Sequence, residues 1–163
     1  MAAGRMVAAA TAWAMIGGTA GAAEVWSRTT QSNGTAFYVC SSGDCGRDAT
    51  LTCRMVPAET VTTSEQFTAR VDEQIADLRA VGREIEARPA TRTAMGERVL
   101  FRIALFYGSG APAFETGVLA GAQDAFAVVS TAADAKTMKR NFDRFVTQLG
   151  KQPVAAAVAE CPP

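Results

Sequence analysis

The sequence predicts an α+β domain, with an antiparallel β-sheet and two amphipathic helices packed on it as an α/β sandwich, cross-linked by disulfides. Three observations carry this prediction: runs of alternating polarity separated by turns, two helical stripes of apolar residues, and four cysteines behind an export leader. Period-two alternation indicates half-buried strands, and apolar residues three or four positions apart indicate helices. The 163 residues suit one domain.

The strands are predicted from alternation between turn residues. In order they cover residues 24–30, 35–40, 49–56, 97–107, 113–119 and 124–130. The strand at 97–107 is apolar on both faces apart from Arg98 and Arg102, so we expect it at the centre of the sheet, covered on both sides. Asn33-Gly34 predicts a type I′ hairpin turn, and residues 83–92, broken by Pro89, are expected to be polar and extended.

Each predicted helix has a capping signal, an apolar stripe and a glycine stop. The first begins at Thr62 or Thr63 and stops at Gly82, and the second begins after Thr131 and ends at Gly150. The residues that would complete the capping boxes are Glu65 or Gln66 in the first helix and Asp134 in the second. The stripes are Phe67, Val71, Ile75 and Leu78, and Met138, Phe142, Phe145 and Leu149.

Residues 1–22 are predicted to be a signal peptide. Arg5 supplies the positive start, residues 6–16 the apolar stretch, and Ala20-Gly21-Ala22 a small-residue motif for cleavage near Ala22 and Ala23. The apolar stretch is shorter than the roughly 20 residues that span a bilayer, so we expect no integral membrane anchor. The mature protein is therefore expected to be periplasmic or secreted.

Beyond the leader we expect one domain, residues 23–150, and a C-terminal tail, residues 151–163, tethered through Cys161. The chain has 16 basic and 16 acidic residues, so it lacks the basic excess of a nucleic-acid-binding protein. It also has no histidine, the commonest general base and metal ligand. The sequence therefore predicts no nucleic-acid partner, no metal, no cofactor and no catalytic residue.

Four cysteines in an exported protein predict two disulfides rather than a zinc or redox site, because the spacings match neither. The favoured pairs are Cys40–Cys45 and Cys53–Cys161, and the runner-up pairs are Cys40–Cys53 and Cys45–Cys161. The preference for the first two pairs depends on the alternation of side chains between the two faces of a strand. If Phe37 and Val39 face the core together with Leu51, then Cys40 and Cys53 point to opposite faces and cannot pair easily.

No local motif predicts catalysis. The stretch Gly43-Asp44-Cys45-Gly46 is superficially similar to a serine-protease motif, but without histidine there is no base for the nucleophile. The carboxylate pairs Glu84/Glu86 and Asp72/Glu73 are expected to be solvated rather than catalytic. Two basic clusters are likewise expected to be solvated, with an anionic ligand as the alternative: Arg83, Arg88 and Arg92, and Lys136, Lys139, Arg140 and Arg144.

The element order resembles the PsbP-like family, which includes DcrB-like envelope proteins. The resemblance covers residues 24–149 and lies in the strand that ends at Pro57 before a capped helix, the turns at Gly108 and Gly121, and the passage AFAVVSTAADAKTMKRNFDRFVTQL. It implies a non-enzymatic accessory or binding role, often in support of a larger complex, and offers no catalytic residues to transfer. The chain departs from the family in lacking a lipid-anchoring motif and in its four cysteines.

We therefore expect an exported, non-catalytic accessory or binding protein that acts through an envelope or secreted protein partner or a small ligand. One alternative is a small secreted hydrolase that uses carboxylates. The other is a secreted inhibitor or effector whose disulfide-closed loop, from Ser41 to Asp48, makes the contact, with Asp44 and Arg47 as contact residues.

Overall fold

A computed structural model describes residues 12–15, 24–42, 44–46 and 48–163. The strands in these ranges are β1 (Ala12–Met15), β2 (Glu24–Thr30), β3 (Ala36–Ser42), β4 (Thr50–Val56), β5 (Ile85–Ala87), β6 (Thr91–Met95), β7 (Arg98–Tyr107), β8 (Pro112–Ala120) and β9 (Ala125–Thr131). They form one antiparallel sheet in the order β1-β2-β3-β4-β9-β8-β7-β5, and β6 pairs with the other half of β7 beside β5. The predicted α+β class is confirmed.

Helices cover both faces of the sheet. The helices described are α1 (Ser64–Ala80), α2 (Ala135–Lys151) and α3 (Val154–Glu160), with a 3-10 turn at Ala58–Thr60. The helix α1 packs with Phe101, Ile103 and Leu105 on one face, and α2 and α3 pack over Leu100 and its neighbours on the other. One predicted apolar face of this strand is therefore buried along Phe101, Ile103 and Leu105, and the other is buried at Leu100 and half-buried from Arg102 to Phe106.

The prediction that this strand is the centre of the sheet was wrong. The strand β7 is the longest, with 10 residues, but it lies one position from the β5–β6 edge, and β4 and β9 occupy the middle. Burial on both faces does not require a central position, because α1 and α2 reach over this end of the sheet from opposite sides.

The caps of α1 follow the prediction, whereas those of α2 differ. The Thr63 hydroxyl accepts a hydrogen bond from the Gln66 backbone N–H at 3.2 Å. The Gln66 side-chain oxygen accepts one from the Thr63 backbone N–H, which completes the capping box. In α2 the N-cap is Asp134, whose carboxylate accepts the Thr137 N–H at 2.8 Å. Thr131 is the last residue of β9, where it pairs with Thr50, so it is not available as a cap. Gly150 lies within α2 and not at its end.

Both favoured disulfides are present, Cys40–Cys45 and Cys53–Cys161, with Cα–Cα separations of 5.8 and 5.1 Å. The parity argument that favoured them was wrong, because Cys40 and Cys53 both face the α2 side of the sheet, and Phe37 faces away. Register keeps these two cysteines apart. Cys53 lies opposite Ala36, and Cys40 is four positions further along β3, about 13 Å away along the strand.

The hairpin between β2 and β3 lies at the predicted position but not in the predicted turn type. Its loop spans residues 31–35, and Gly34 has a φ of 81°. A type I′ turn needs positive φ at both central residues, and Asn33 does not have it. The Asn33 side chain instead accepts the Thr35 N–H at 3.0 Å, which stabilises a longer loop.

The C-terminal tail is an integral part of the packing and not only a tether, because it forms the unpredicted helix α3. The Tyr38 hydroxyl donates to the Glu160 carbonyl at 3.0 Å, and Arg28 donates to the Ala159 carbonyl at 2.8 Å. The Glu160 carboxylate accepts from the side chain of Gln152 at 2.8 Å. These bonds join the tail to β2, β3 and the end of α2.

The structure describes a part of the predicted signal peptide. The strand β1 lies within residues 1–22 and pairs with β2. The rest of that leader and the predicted cleavage position near Ala22 and Ala23 lie outside the described residues.

The buried phenol of Tyr38 makes stability depend on alkaline pH. Burial raises the pKa of Tyr38 to about 12 from an ordinary value of 10.0. The folded state therefore favours the protonated phenol, so its contribution is complete below pH 10 and is lost as the pH rises through 12. Two pKa units correspond to about 3 kcal/mol at the alkaline end. Unfolding free energies measured from pH 9 to 12 should show this loss in the wild type and not in Tyr38→Phe. Equal slopes for the two proteins would contradict it.

Candidate functional site: a groove beside α2

A groove of about 430 Å³ lies between the first half of α2 and the edge strands β5 and β6, above β7. We call it the α2 groove. The sheet contributes Arg88, Thr91, Thr93, Arg102, Ala104, Phe106 and Glu115, and the helix contributes Ala135, Met138 and Lys139. Its volume lies within the range of small-molecule sites in proteins.

The register of three strands explains why the groove is open. The Arg88 N–H donates to the Ala104 carbonyl at 2.9 Å, and Ala104 lies opposite Glu115, so these residues form one row across the sheet. The short side chain of Ala104 leaves a depression between two longer ones. In the next row the ring of Phe142 fills the space over Gly117, where an added Cβ would lie 2.7 Å from Phe142 Cζ.

A charged network forms the floor of the α2 groove. The Arg102 guanidinium pairs with the Glu115 carboxylate and, at 2.5 Å, with Asp143. Lys139 pairs with the other oxygen of Asp143 at 2.6 Å. The side chain of Glu115 is only 3% exposed, whereas that of Lys139 is 63% exposed, so the network runs from the sheet surface to solvent.

The Glu115 carboxylate is incompletely satisfied. Its Oε1 accepts from Arg102, but its buried Oε2 has no hydrogen-bond partner among the described residues. Burial raises the pKa of Glu115 above its usual value, and the positive charge of Arg102 opposes this rise. A buried acceptor without a donor is costly.

At the mouth of the α2 groove Arg88 provides a positioned cation. Its guanidinium lies 5.0 Å from the centroid of the Phe106 ring, a favourable cation–π distance. No carboxylate of the described residues lies within ion-pair distance of it. The groove therefore has three cationic side chains, Arg88, Arg102 and Lys139, against the two carboxylates of the floor network.

The two predicted basic clusters meet here in part. Arg88 belongs to the first cluster and Lys139 to the second, and the groove brings them together. Both residues are exposed, in agreement with the expected solvation, and both also line the groove, so the anionic-ligand alternative stays a prediction for them. The acidic pairs Glu84/Glu86 and Asp72/Glu73 are exposed and do not line it.

The predicted contact loop is only partly described. Asp44 is exposed, and Arg47 lies outside the described residues. The side-chain amide of Asn141 in α2 donates to the Cys45 carbonyl at 2.7 Å and holds this loop on α2. The role of Asp44 and Arg47 as contact residues stays a prediction.

Sequence reasoning missed Glu115, Ala104 and Asp143. The sequence does contain an indication of Glu115, because an arginine inside a predicted buried strand requires a carboxylate partner. Arg102 interrupts β7, and the next strand contains only one acidic residue, Glu115. Ala104 carries no such signal, since its importance comes from the size of its neighbours.

Comparisons with known proteins give no family assignment. A scan against models of protein families found no match, and a search of curated proteins found no significant relative. The resemblance to PsbP-like proteins therefore stays a prediction. No helix in the described ranges is long and apolar enough to cross a membrane. In the same part of the chain, His, Cys, Asp and Glu side chains do not gather into a group suited to a metal ion.

Proposed function

We propose that this protein is a non-catalytic binding protein of an oxidising, extracytoplasmic compartment, and that the α2 groove is its ligand-binding site. The observation that carries the proposal is the depression over Ala104, beside which Arg88 is a cation without a carboxylate partner among the described residues. The guanidinium of Arg88 therefore has binding capacity that the described chain leaves unused. The two disulfides fit secretion or a periplasmic location.

The ion pairs made by the carboxylates of Glu115 and Asp143 favour binding over carboxylate-dependent hydrolysis. Glu115 is the only acidic residue among those lining the groove, and it is held by Arg102. Asp143, the nearest acid in the network, pairs with Arg102 and Lys139. Hydrolysis by two carboxylates needs one to act as a base or nucleophile and the other as an acid. The cationic partners here oppose both roles, and the PsbP-like resemblance also implies binding without catalysis.

The proposal is tested by a thermal-shift panel on the oxidised protein, with metals, sugars, nucleotides, lipids, peptidoglycan fragments and small carboxylates. A ligand at about 100 times its Kd stabilises by roughly 2.7 kcal/mol and should raise Tm by several degrees. We expect at least one such shift in the wild type and its loss in Ala104→Leu, which fills the floor of the groove.

The matched control is Ala94→Leu. Ala94 is exposed on the neighbouring strand β6, opposite Val99 on the α1 side of the sheet, so this change adds the same volume outside the groove. It should retain the shift. A ligand whose effect survives Ala104→Leu would place binding elsewhere. A panel without any shift would contradict a small-ligand site, and cross-linking to protein partners would follow.

A further inference from the structure

We propose that the ligand of the α2 groove is a small monocarboxylate with a short apolar chain. Its carboxylate binds the guanidinium of Arg88, and its chain lies over Ala104, between the Phe106 ring and the start of α2. This inference rests on the proposed function, because it names the ligand class of the same groove.

Arg88 is suited to bind a carboxylate. Its side chain is exposed, and its guanidinium lies over the Phe106 ring, 5.0 Å from the centroid. A guanidinium that contacts a ring through its face keeps N–H donors at its edge, where a carboxylate binds through two parallel hydrogen bonds. Glu86 lies two positions earlier on the same face, but none of the ion pairs among the described residues joins it to Arg88. A ligand carboxylate would therefore meet a positioned cation.

The other charges of the groove favour a ligand with one negative charge. Arg102 pairs with the carboxylates of Glu115 and Asp143, and Lys139 pairs with Asp143. These two cations are already matched, so Arg88 is the remaining positive charge of the lining. A dianion such as phosphate would bring a second negative charge that no cation of the groove neutralises.

The surface beside Arg88 is apolar. Ala104 and Phe106 are half-buried on the sheet, and Ala135 is exposed at the start of α2. The aliphatic stem of Lys139 also lines the groove, and it can cover a carbon chain while its ammonium group keeps its ion pair. An apolar chain gains free energy on such a surface, whereas a polar chain would lose hydrogen bonds to water there.

The position of α2 sets the width of the groove. Ser130 Oγ donates to the Met138 carbonyl at 3.1 Å, so α2 passes over Ser130. Ser130 lies opposite Glu115, and Glu115 lies opposite Ala104. Ala104 in turn accepts the Arg88 N–H at 2.9 Å. Three strand spacings therefore separate Arg88 from the strand below α2, about 14 Å between Cα atoms. A chain of a few carbon atoms suits this width.

The test compares four probes by NMR titration of the oxidised protein at pH 8 and low ionic strength. The acid 4-methylpentanoate carries both proposed groups, 4-methylpentanamide lacks the charge, acetate lacks the chain, and inorganic phosphate is a dianion without a chain. We expect 4-methylpentanoate to bind most tightly. The amide should bind about tenfold more weakly because it loses a charge-assisted hydrogen bond. Acetate should be weaker by at least about tenfold, which is the effect of burying two CH₂ groups.

Variants locate the two contacts. In Arg88→Gln the preference for the acid over its amide should disappear. In Ala104→Leu both should lose binding, because the added side chain occupies the floor. The control for the charge is Arg92→Gln, since Arg92 is also exposed but lies 5.9 Å from the centroid of the Phe101 ring on the α1 side. This variant should keep the preference, and Ala94→Leu, the control for the volume, should keep the binding.

Equal affinity for the acid and the amide, or an unchanged preference in Arg88→Gln, would overturn the inference. Acetate or phosphate binding as tightly as 4-methylpentanoate would also overturn it. If another ligand of the thermal-shift panel binds and is lost in Ala104→Leu, the groove stands and only its ligand class is wrong. If no ligand depends on Ala104, both proposals fail. If Ala104→Leu fails to fold, the four probes on the wild type and on Arg88→Gln still decide the outcome.

Discussion

The double substitution Cys53→Ala/Cys161→Ala is expected to lower the free energy of unfolding by about 5 kcal/mol. The disulfide joins residues 108 positions apart, and a cross-link that closes a loop of this length removes much of the entropy of the unfolded chain. Both cysteines are also buried, and their loss would loosen the docking of α3 on β4. Denaturant titration of the oxidised proteins measures the difference.

The other disulfide provides the control. Cys40 and Cys45 are separated by only five positions, so Cys40→Ala/Cys45→Ala should cost about 2 kcal/mol in the same chain-entropy treatment. These cysteines are as buried as the first pair, so the two double variants lose similar side chains and differ in loop length and in the docking of α3. Equal losses for the two double variants would show that loop length does not determine the contribution.

The substitution Arg98→Met is expected to lower the free energy of unfolding by about 3–5 kcal/mol, the usual cost of removing one partner of a buried ion pair. Arg98 Nη2 lies 2.5 Å from Asp124 Oδ2, and both side chains are less than a tenth exposed. Arg98 Nη1 also donates to the Leu149 carbonyl in the last turn of α2, at 2.9 Å. The substitution leaves the Asp124 carboxylate buried without its cation.

A double-mutant cycle separates the loss of the pair from the cost of the unpaired charge. Arg98→Met/Asp124→Asn removes both charges and should be closer to the wild type than Arg98→Met alone. The unfolding free energies of the four proteins give the coupling energy. A double variant that is as unstable as the sum of both single variants would mean that the two side chains are not coupled.

Local patterns predicted the elements well because their causes are local. The stripe of Met138, Phe142, Phe145 and Leu149 is buried in α2 as the 3.6-residue period requires. The Thr63–Gln66 box likewise depends on four consecutive residues. The helix α3 was not predicted because it has only seven residues and its run of alanines shows no alternation of polar and apolar positions. Packing on β4 stabilises it.

Strand faces were harder to assign where both alternatives are apolar. In β3 the set Phe37 and Val39 competes with the set Tyr38 and Cys40, and the period of two does not decide between them. Contacts with distant parts of the chain determine which of the two sets faces the core. Tyr38 packs edge-on against the Phe145 ring, with centroids 5.4 Å apart, and bonds to the C-terminal tail.

The α2 groove was beyond local prediction for the same reason. It requires the register of β7 with both of its neighbours and the position of α2 above them, and each is set by tertiary packing. Arg88 and Lys139 were each recognised as members of a basic cluster, but 51 positions separate them in the chain. They meet because the first half of α2 lies over the part of the sheet that contains Arg88 and Ala104.

The measurement that tests the binding site most directly is a two-dimensional amide NMR titration of the oxidised protein with a small apolar carboxylate such as 4-methylpentanoate. We expect the largest shift changes at the amides of Arg88, Ala104, Glu115 and Met138, and their absence in Ala104→Leu. Changes confined to the loop around Asp44 would contradict the α2 groove and support the contact-loop alternative.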